Sequence, residues 1–363
     1  MSLQTEILGV KMQSPFILGS GPLTYSGRGM IRAHRQGVGA VVTKTIRDKA
    51  AENPFPHIAQ SGKNSLINAE KWADIEGEKW IEKEIPEAKN AGAVVIGSIG
   101  HTAGEVKNWI EKVDRAGADI IEIVSYKRKE IIPMTKKGRK LTDKPILVKI
   151  SPNWPDPVEA GLKALKAGAD GITAMDSIGP VLRIDIKKEK PLVGGEKGYG
   201  WLTGQALKPI TLRIVADIAR QTDRPVVGIG GVMEAEDAVE MMMAGARAVG
   251  ICSAPILKGV EYIKTLNNKM EELVADLGYE EVSDFTAKAL DSLPQKESKE
   301  KFEFSFNADS CIECQKCVQV CPYQARELNN LNMRLNEKQC RYCGLCVSVC
   351  PTEALTMIEN RDQ

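Results

Sequence analysis

Nine cysteines occur in the 363-residue sequence, and eight of them fall between Cys311 and Cys350. Residues 311–322 and 340–351 both read C-x2-C-x2-C-x3-C-P. That spacing suits a pair of 4Fe-4S cubanes, in which three close thiolates grip one face of a cluster and the fourth crosses to the other cluster. One cluster would use Cys311, Cys314, Cys317 and Cys350, and the other Cys340, Cys343, Cys346 and Cys321. A pair of zinc knuckles is the rival. Zinc wants four tetrahedral ligands, however, and the crossed spacing with its following proline is peculiar to clusters. Cysteines this dense in one short segment also argue for metal ligation over disulfides. The segment is expected to be a wire that passes electrons between two neighbouring clusters.

A wire needs a centre to feed. Short apolar runs earlier in the chain end in Ser20-Gly21, Lys44, Ser98, Val124 to Tyr126, Lys149, Asp176-Ser177, Gly230-Gly231 and Cys252-Ser253. The stretches GIGGV (228–232) and GICSA (250–254) make glycine-rich turns ahead of helix starts, where amides and the helix dipole favour a phosphate. Lys44 and Lys149 at strand ends ask for an anionic partner. A phosphate joined to an electron-rich ring supplies one, which describes flavin mononucleotide (FMN). His101 reads as the residue ahead of a capping box, Thr102-x-x-Glu105. Cys252 reads as a small buried residue, and Trp72, Trp80 and Trp109 as packing residues on helices. GEKGYGWLTG (195–204) is either a phosphate-contacting turn or a mobile flap.

The runs at 16–20, 40–44, 94–99, 119–124, 146–150, 171–175, 226–230 and 248–252 are almost continuously apolar, as parallel strands covered on both faces must be. Between them EVKNWIEKVDRAG, PVEAGLKALKAG and EAEDAVEMMMAG space apolar residues near the helical period and end in Gly. Eight such units predict an α/β fold, a (β/α)8 TIM barrel over residues 1–280, with a doubly wound sheet as the rival. Residues 281–305 read as a charged linker and 306–363 as a bacterial-type two-cluster ferredoxin domain. A net charge of +1 gives no global field for nucleic acid or membrane. No apolar run approaches the ~20 residues that span a bilayer. The start, MSLQTEILGV, lacks a secretory pattern, so a cytoplasmic protein is expected.

The segments SPFILGSGP, VVTKTIRD, SLINAE, PILVKISPN, GADGITAMDSIG, TGQALKPITLRIV, GIGGVMEAEDA and GARAVGICSA resemble the dihydroorotate dehydrogenase family. The order of parts is similar to the C-terminal half of dihydropyrimidine dehydrogenase, a flavin barrel followed by a two-cluster module. The resemblance implies FMN at the barrel mouth, with Ser20 and Gly21 at the ring and Lys44 and Lys149 near flavin and substrate. It places Gly204, Gly230, Gly231, Cys252 and Ser253 around the ribityl chain and phosphate. Asn68 matches an asparagine that hydrogen-bonds a cyclic amide substrate, and a homodimer is implied.

Two stretches depart from the family pattern. Where the family has Asn, Ser, Cys and Pro after the fourth strand, then a loop with its catalytic Cys or Ser, this sequence has IVSYKRKEIIPM (123–134). Asp176-Ser177 replaces an Asn-Thr pair. Reducing an activated double bond takes a hydride and a proton from an acid. Without cysteine, that acid is sought at Tyr126, Lys127 or Lys129. The basic stretch could hold a carboxylate, and Asp176 an NH or cationic group. The expectation is an FMN- and 4Fe-4S-dependent oxidoreductase acting on a C=C or C=N bond of a small polar compound, with Tyr126, Lys127, Asp176 and Asn68 at the substrate. No GxGxxG follows a strand, so a ferredoxin, a flavodoxin or a separate subunit must supply electrons. The alternatives are an electron-transfer subunit with no small substrate of its own, and a flavin-dependent but net non-redox enzyme.

Overall fold

Eight parallel strands close into a barrel in the computed structural model, which describes residues 3–297 and 302–358. They are β1 (Phe16–Leu18), β2 (Ala40–Val42), β3 (Val95–Ile99), β4 (Ile120–Val124), β5 (Ile146–Ile150), β6 (Gly171–Ala174), β7 (Val226–Ile229) and β8 (Ala248–Ile251). Each coincides with an apolar run of the sequence, and β8 pairs with β1 to close the ring. The helices that follow them are α1 (Gly27–His34), α2 (Ile85–Asn90), α3 (Ala103–Arg115), α4 (Arg128–Arg139), α5 (Pro157–Lys166), α6 (Lys208–Ala219), α7 (Ala235–Met243) and α8 (Tyr262–Asp276). The TIM barrel expected from the sequence is borne out. Its helix-to-strand corners at Gly117, Gly168 and Gly245 have φ of +102°, +113° and +109°, a conformation glycine adopts without Cβ strain.

Strand alternation fixes what faces inward. Ile121, Ile123, Ile146, Val148 and Ile150 pack outward with the helices. Ile17, Ile96, Ile120, Leu147 and Val227 form a separate inner cluster, joined there by Ile7 and Met12 of a hairpin, Thr5–Ile7 with Val10–Met12. The same alternation puts Glu122 and Lys149 inside, in the layer above the apolar one.

Two insertions build a second sheet. Strands Ile58–Gln60 and Ser65–Asn68, after β2, join Gly200–Gly204 and Ile178–Val181, after β6, in one antiparallel sheet. Trp201 lies opposite Asn68 in it.

The barrel unit runs to Leu293, so the segment 281–293 is not linker. Phe285 is fully buried, and the amides of Ala287 and Ala289 donate to the carbonyls of Met242 and Met243. The remaining linker includes residues 298–301, which lie outside those described. Trp80 and Trp109 pack in the core as expected, but Trp72 lies in a loop, not on a helix. Among the described residues no helix is long and apolar enough to cross a membrane.

The second unit, Pro294–Gln363, pairs strand Glu303–Phe306 with Leu355–Ile358 and carries a hairpin, Arg326–Asn329 with Asn332–Leu335. Its two halves repeat the same backbone: Glu313, Gln315 and Gln324 have positive φ in one, and Tyr342, Gly344 and Glu353 in the other. Five of these six are not glycine. Such conformations persist only where the surroundings enforce them.

Candidate functional site

The C-terminal ends of the barrel strands and the four-stranded sheet enclose a cavity of about 860 Å³. Ser20, Lys44, Asn68, Tyr126, Lys149 and Asp176 all line it. The structure therefore brings together residues that lie up to 156 positions apart (176 − 20).

Its charges are arranged in pairs. Lys44 Nζ lies 3.0 Å from Glu70 Oε2 and donates to the Lys71 carbonyl at 2.9 Å. Lys149 Nζ lies 3.9 Å from Asp176 Oδ1. The protein itself therefore supplies a carboxylate beside each of these lysines. Burial pushes the Lys149 ammonium down, but Asp176 and then Glu122 outweigh it and hold the pKa above the usual value. Glu122 is 3 % exposed, and burial pushes its pKa up, with Asp176 adding to the rise. The Lys149 ammonium opposes that rise.

Tyr126 stands where β4 ends. Burial pushes its phenol up to about 12, and Asp176 adds to this. The residue is 54 % exposed where it borders the open cavity. His101 packs edge-on against it, with 4.3 Å between ring centroids, and Trp72 lies 5.9 Å from His101 on another side. Burial holds the His101 imidazole down to about 4, assisted by Arg47 and opposed by Glu105 and Asp176. Only half of the capping box forms: Thr102 Oγ1 accepts from Glu105 N, whereas Glu105 Oε2 accepts from the His101 amide at 2.6 Å and not from that of Thr102. That cap fixes His101 in the cavity wall. Its place there was missed because the helix-start signal accounted for its neighbours.

Lys127 does not join this group. It precedes α4, is exposed, and donates its amide to Ser125 Oγ at 3.1 Å. Lys129, on the first turn of α4, is exposed too. The helix begins immediately after Tyr126 and Lys127 and carries these lysines outside the cavity lining. Asn68 accepts the Glu70 amide on Oδ1 at 2.6 Å. Glu70, Thr45 and Asn153 also line the cavity, and neither their types nor their spacing marked them beyond the nearby strand ends.

Beyond the cavity lining, the glycine positions form a cradle that side chains would fill. Gly204, Gly230 and Gly231 have φ of +90°, +134° and +97°, and a Cβ on Gly231 would sit 2.4 Å from the Lys208 amide nitrogen. A Cβ on Gly21 would meet Cys252 Sγ at 2.9 Å. Among the described residues no protein group accepts from the Gly230 or Gly231 amides. The start of α7 is different, because Asp237 Oδ2 takes the amides of Met233 and Glu234 at 2.8 and 3.0 Å. The expected helix-dipole contribution after β7 is therefore spent on the protein's own carboxylate. Ser253 Oγ donates to Thr203 Oγ1 at 3.1 Å, and burial pushes the Cys252 thiol up to about 11. Unclaimed amides at Gly230 and Gly231, in turns with no room for a Cβ, fit the phosphate end of a flavin.

In the second unit Cys321, Cys340, Cys343 and Cys346 line one small cavity, the crossed set expected from the spacing. The amides of Glu313, Ala325 and Tyr342 donate to Cys311, Cys321 and Cys340 Sγ, each at 3.4 Å. Amides aimed at thiolate sulfur suit a cluster that gains negative charge on reduction.

The dihydroorotate dehydrogenase family model matches residues 2–274, and a 4Fe-4S dicluster domain matches 305–357. The chain is 33% identical over 304 residues to the catalytic subunit of dihydroorotate dehydrogenase B (NAD(+)) of Pyrococcus abyssi, covering 79% of this chain and 99% of that one. It is 31% identical over 304 residues to the protein of the same description from Pyrococcus horikoshii, covering 79% and 98%. With its barrel, its glycine cradle and its paired cysteine motifs, this chain belongs to the dihydroorotate dehydrogenase family, as a flavin-dependent oxidoreductase that carries FMN and two 4Fe-4S clusters.

Proposed function

We propose that the chain interconverts a C=C or C=N bond and its reduced form in a small polar compound bearing both an anionic and an NH or cationic group. Bound FMN supplies two-electron hydride chemistry. Gly204, Gly230, Gly231, Cys252 and Ser253 would hold its phosphate end, and Ser20, Gly21, Lys44 and Lys149 its ring. Lys149 stays cationic because Asp176 and Glu122 face it, and so favours negative charge beside it. Asp176 takes the substrate's NH or cation, and Asn68 its amide edge.

Tyr126 is the proton donor, and its position carries this reading. It stands at the end of β4, ahead of the stretch where the family resemblance implies a catalytic Cys or Ser, and its raised pKa keeps the O–H intact across ordinary pH. His101 beside it stays uncharged above about pH 4 and so adds no cation to compete for the substrate's negative end. Lys127, being outside the cavity, is a candidate only for a substrate tail reaching beyond it.

Electrons would travel through the two clusters from a ferredoxin, a flavodoxin or a separate subunit; the relatives described as catalytic subunits support the last of these. A homodimer is the expected assembly. The test reduces anaerobically purified protein and adds dihydropyrimidine precursors, then enones and imines that carry amino and carboxylate groups, following flavin absorbance. Rapid reoxidation by one compound that is lost in Tyr126→Phe supports the assignment. Reoxidation only by a protein partner favours the second reading, a relay with no small substrate, for which the internally paired Lys44–Glu70 and Lys149–Asp176 charges speak.

A further inference from the structure

We propose that Arg326 raises the reduction potential of the cluster held by Cys321, Cys340, Cys343 and Cys346 above that of its neighbour, so that the two halves of the wire hold electrons unequally. Arg326 is 4 % exposed, and its Nε and Nη2 atoms are buried with no hydrogen-bond partner. The guanidinium lies over the Phe304 ring at 4.0 Å and lines the cavity that these four cysteines surround. A guanidinium does not escape burial by losing its proton, so a buried one needs an anion or suffers a desolvation cost of several kcal/mol. A cluster with four thiolates is that anion.

The internal repeat sharpens the point. Cys321-Pro-Tyr-Gln-Ala-Arg326 and Cys350-Pro-Thr-Glu-Ala-Leu355 are equivalent stretches, and both lead into a strand. Where one half has the buried cation, the other has Leu355, 2 % exposed. Cluster potentials respond to net charge and to hydrogen bonds on sulfur. On reduction a cluster takes one electron and no bond forms or breaks, so its charge becomes more negative by one unit. The donor is a one-electron carrier of the ferredoxin or flavodoxin class, or the reduced flavin. A fixed cation with two free N–H groups favours the reduced form. Arg341 also lines the cavity but is exposed, and water screens it.

The test titrates the anaerobically purified full chain electrochemically and follows each cluster by electron paramagnetic resonance. In Arg326→Gln one midpoint potential should fall while the other stays. At a fixed donor potential the oxidised-to-reduced ratio of that cluster should rise about tenfold or more, about 59 mV per tenfold for one electron. Arg326→Lys, whose compact ammonium cannot offer both N–H groups of the fork, should lie between the two, and Arg341→Gln should change neither. Unchanged potentials in Arg326→Gln overturn the proposal, as does an equal fall of both. If Arg326→Gln fails to load a cluster, Arg326→Leu, the side chain at the equivalent position 355, decides. A lowered potential supports the tuning role, and a wild-type potential reduces Arg326 to a packing residue on Phe304.

Discussion

The imidazole of His101 stands edge-on to the phenol of Tyr126, 4.3 Å between centroids, and both rings border the cavity at the barrel mouth. Neither ring brings a charge to the other, since burial keeps the imidazole neutral and the phenol protonated. Tyr126→Phe keeps the packing and removes only the O–H. FMN content should stay as in the wild type, while reoxidation of the reduced flavin by substrate slows by about 10²-fold or more. A rate within twofold of wild type would exclude Tyr126 as the acid.

His101 also makes stability depend on pH. Its imidazole titrates at about 4 in the fold against 6.5 for the unfolded chain, so between those values the unfolded state binds more protons. Stability from this group is therefore full above 6.5 and declines as pH falls toward 4, by about 3 kcal/mol in all. His101→Asn should flatten the acid-side fall in denaturation midpoint between pH 7 and pH 4.5. An unaltered slope would place the acid sensitivity elsewhere.

Asp176 is the first counter-charge of Lys149. Asp176→Asn should lower kcat/KM for an amino-bearing substrate by about tenfold or more, the scale of one hydrogen bond to a charged group. The loss should fall more on KM than on kcat. Equal kinetics with the neutral side chain would remove Asp176 from substrate recognition.

Gly231→Ala combines a positive φ with a Cβ 2.4 Å from a backbone nitrogen that cannot retreat cheaply. Destabilisation of about 2–4 kcal/mol is expected, with purified protein depleted of FMN. A variant that retains full flavin and the wild-type melting temperature would show that this turn has room the geometry denies.

The crossing of the fourth cysteine separates two further variants. Cys321→Ser should alter the resonance of the cluster sharing Cys340, Cys343 and Cys346, and Cys350→Ser that of the other. The reverse pattern would mean that each motif closes on its own cluster.

How much of this could be read from the chain depends on distance along it. The eight strands were legible to within a residue or two because parallel strands buried on both faces must be apolar throughout. The clusters were legible because their ligands sit in local spacing that no other chemistry demands. Glu70, His101 and the Arg47–Glu105 pair at 2.7 Å were not, since their roles arise only when β2, β3 and their loops converge. The charged stretch after 281 misled because its few apolar residues, Val282 and Phe285, bury themselves in the barrel's main core among many charges, Phe285 against the Tyr279 ring. Lys127 misled for a local reason, the helix that starts directly behind it.

The sheet beside the mouth has a consequence for how the chain matures. Its central pair joins Ser65–Asn68 to Gly200–Gly204, so one wall of the cavity comes early in synthesis and its partner more than a hundred residues later. Until the later segment emerges, the earlier hairpin presents an unpaired edge, the kind of template on which stray strands add. Protection of that edge thus arrives with residues 200–204, before the turns after β7 and β8 that complete the site have been made.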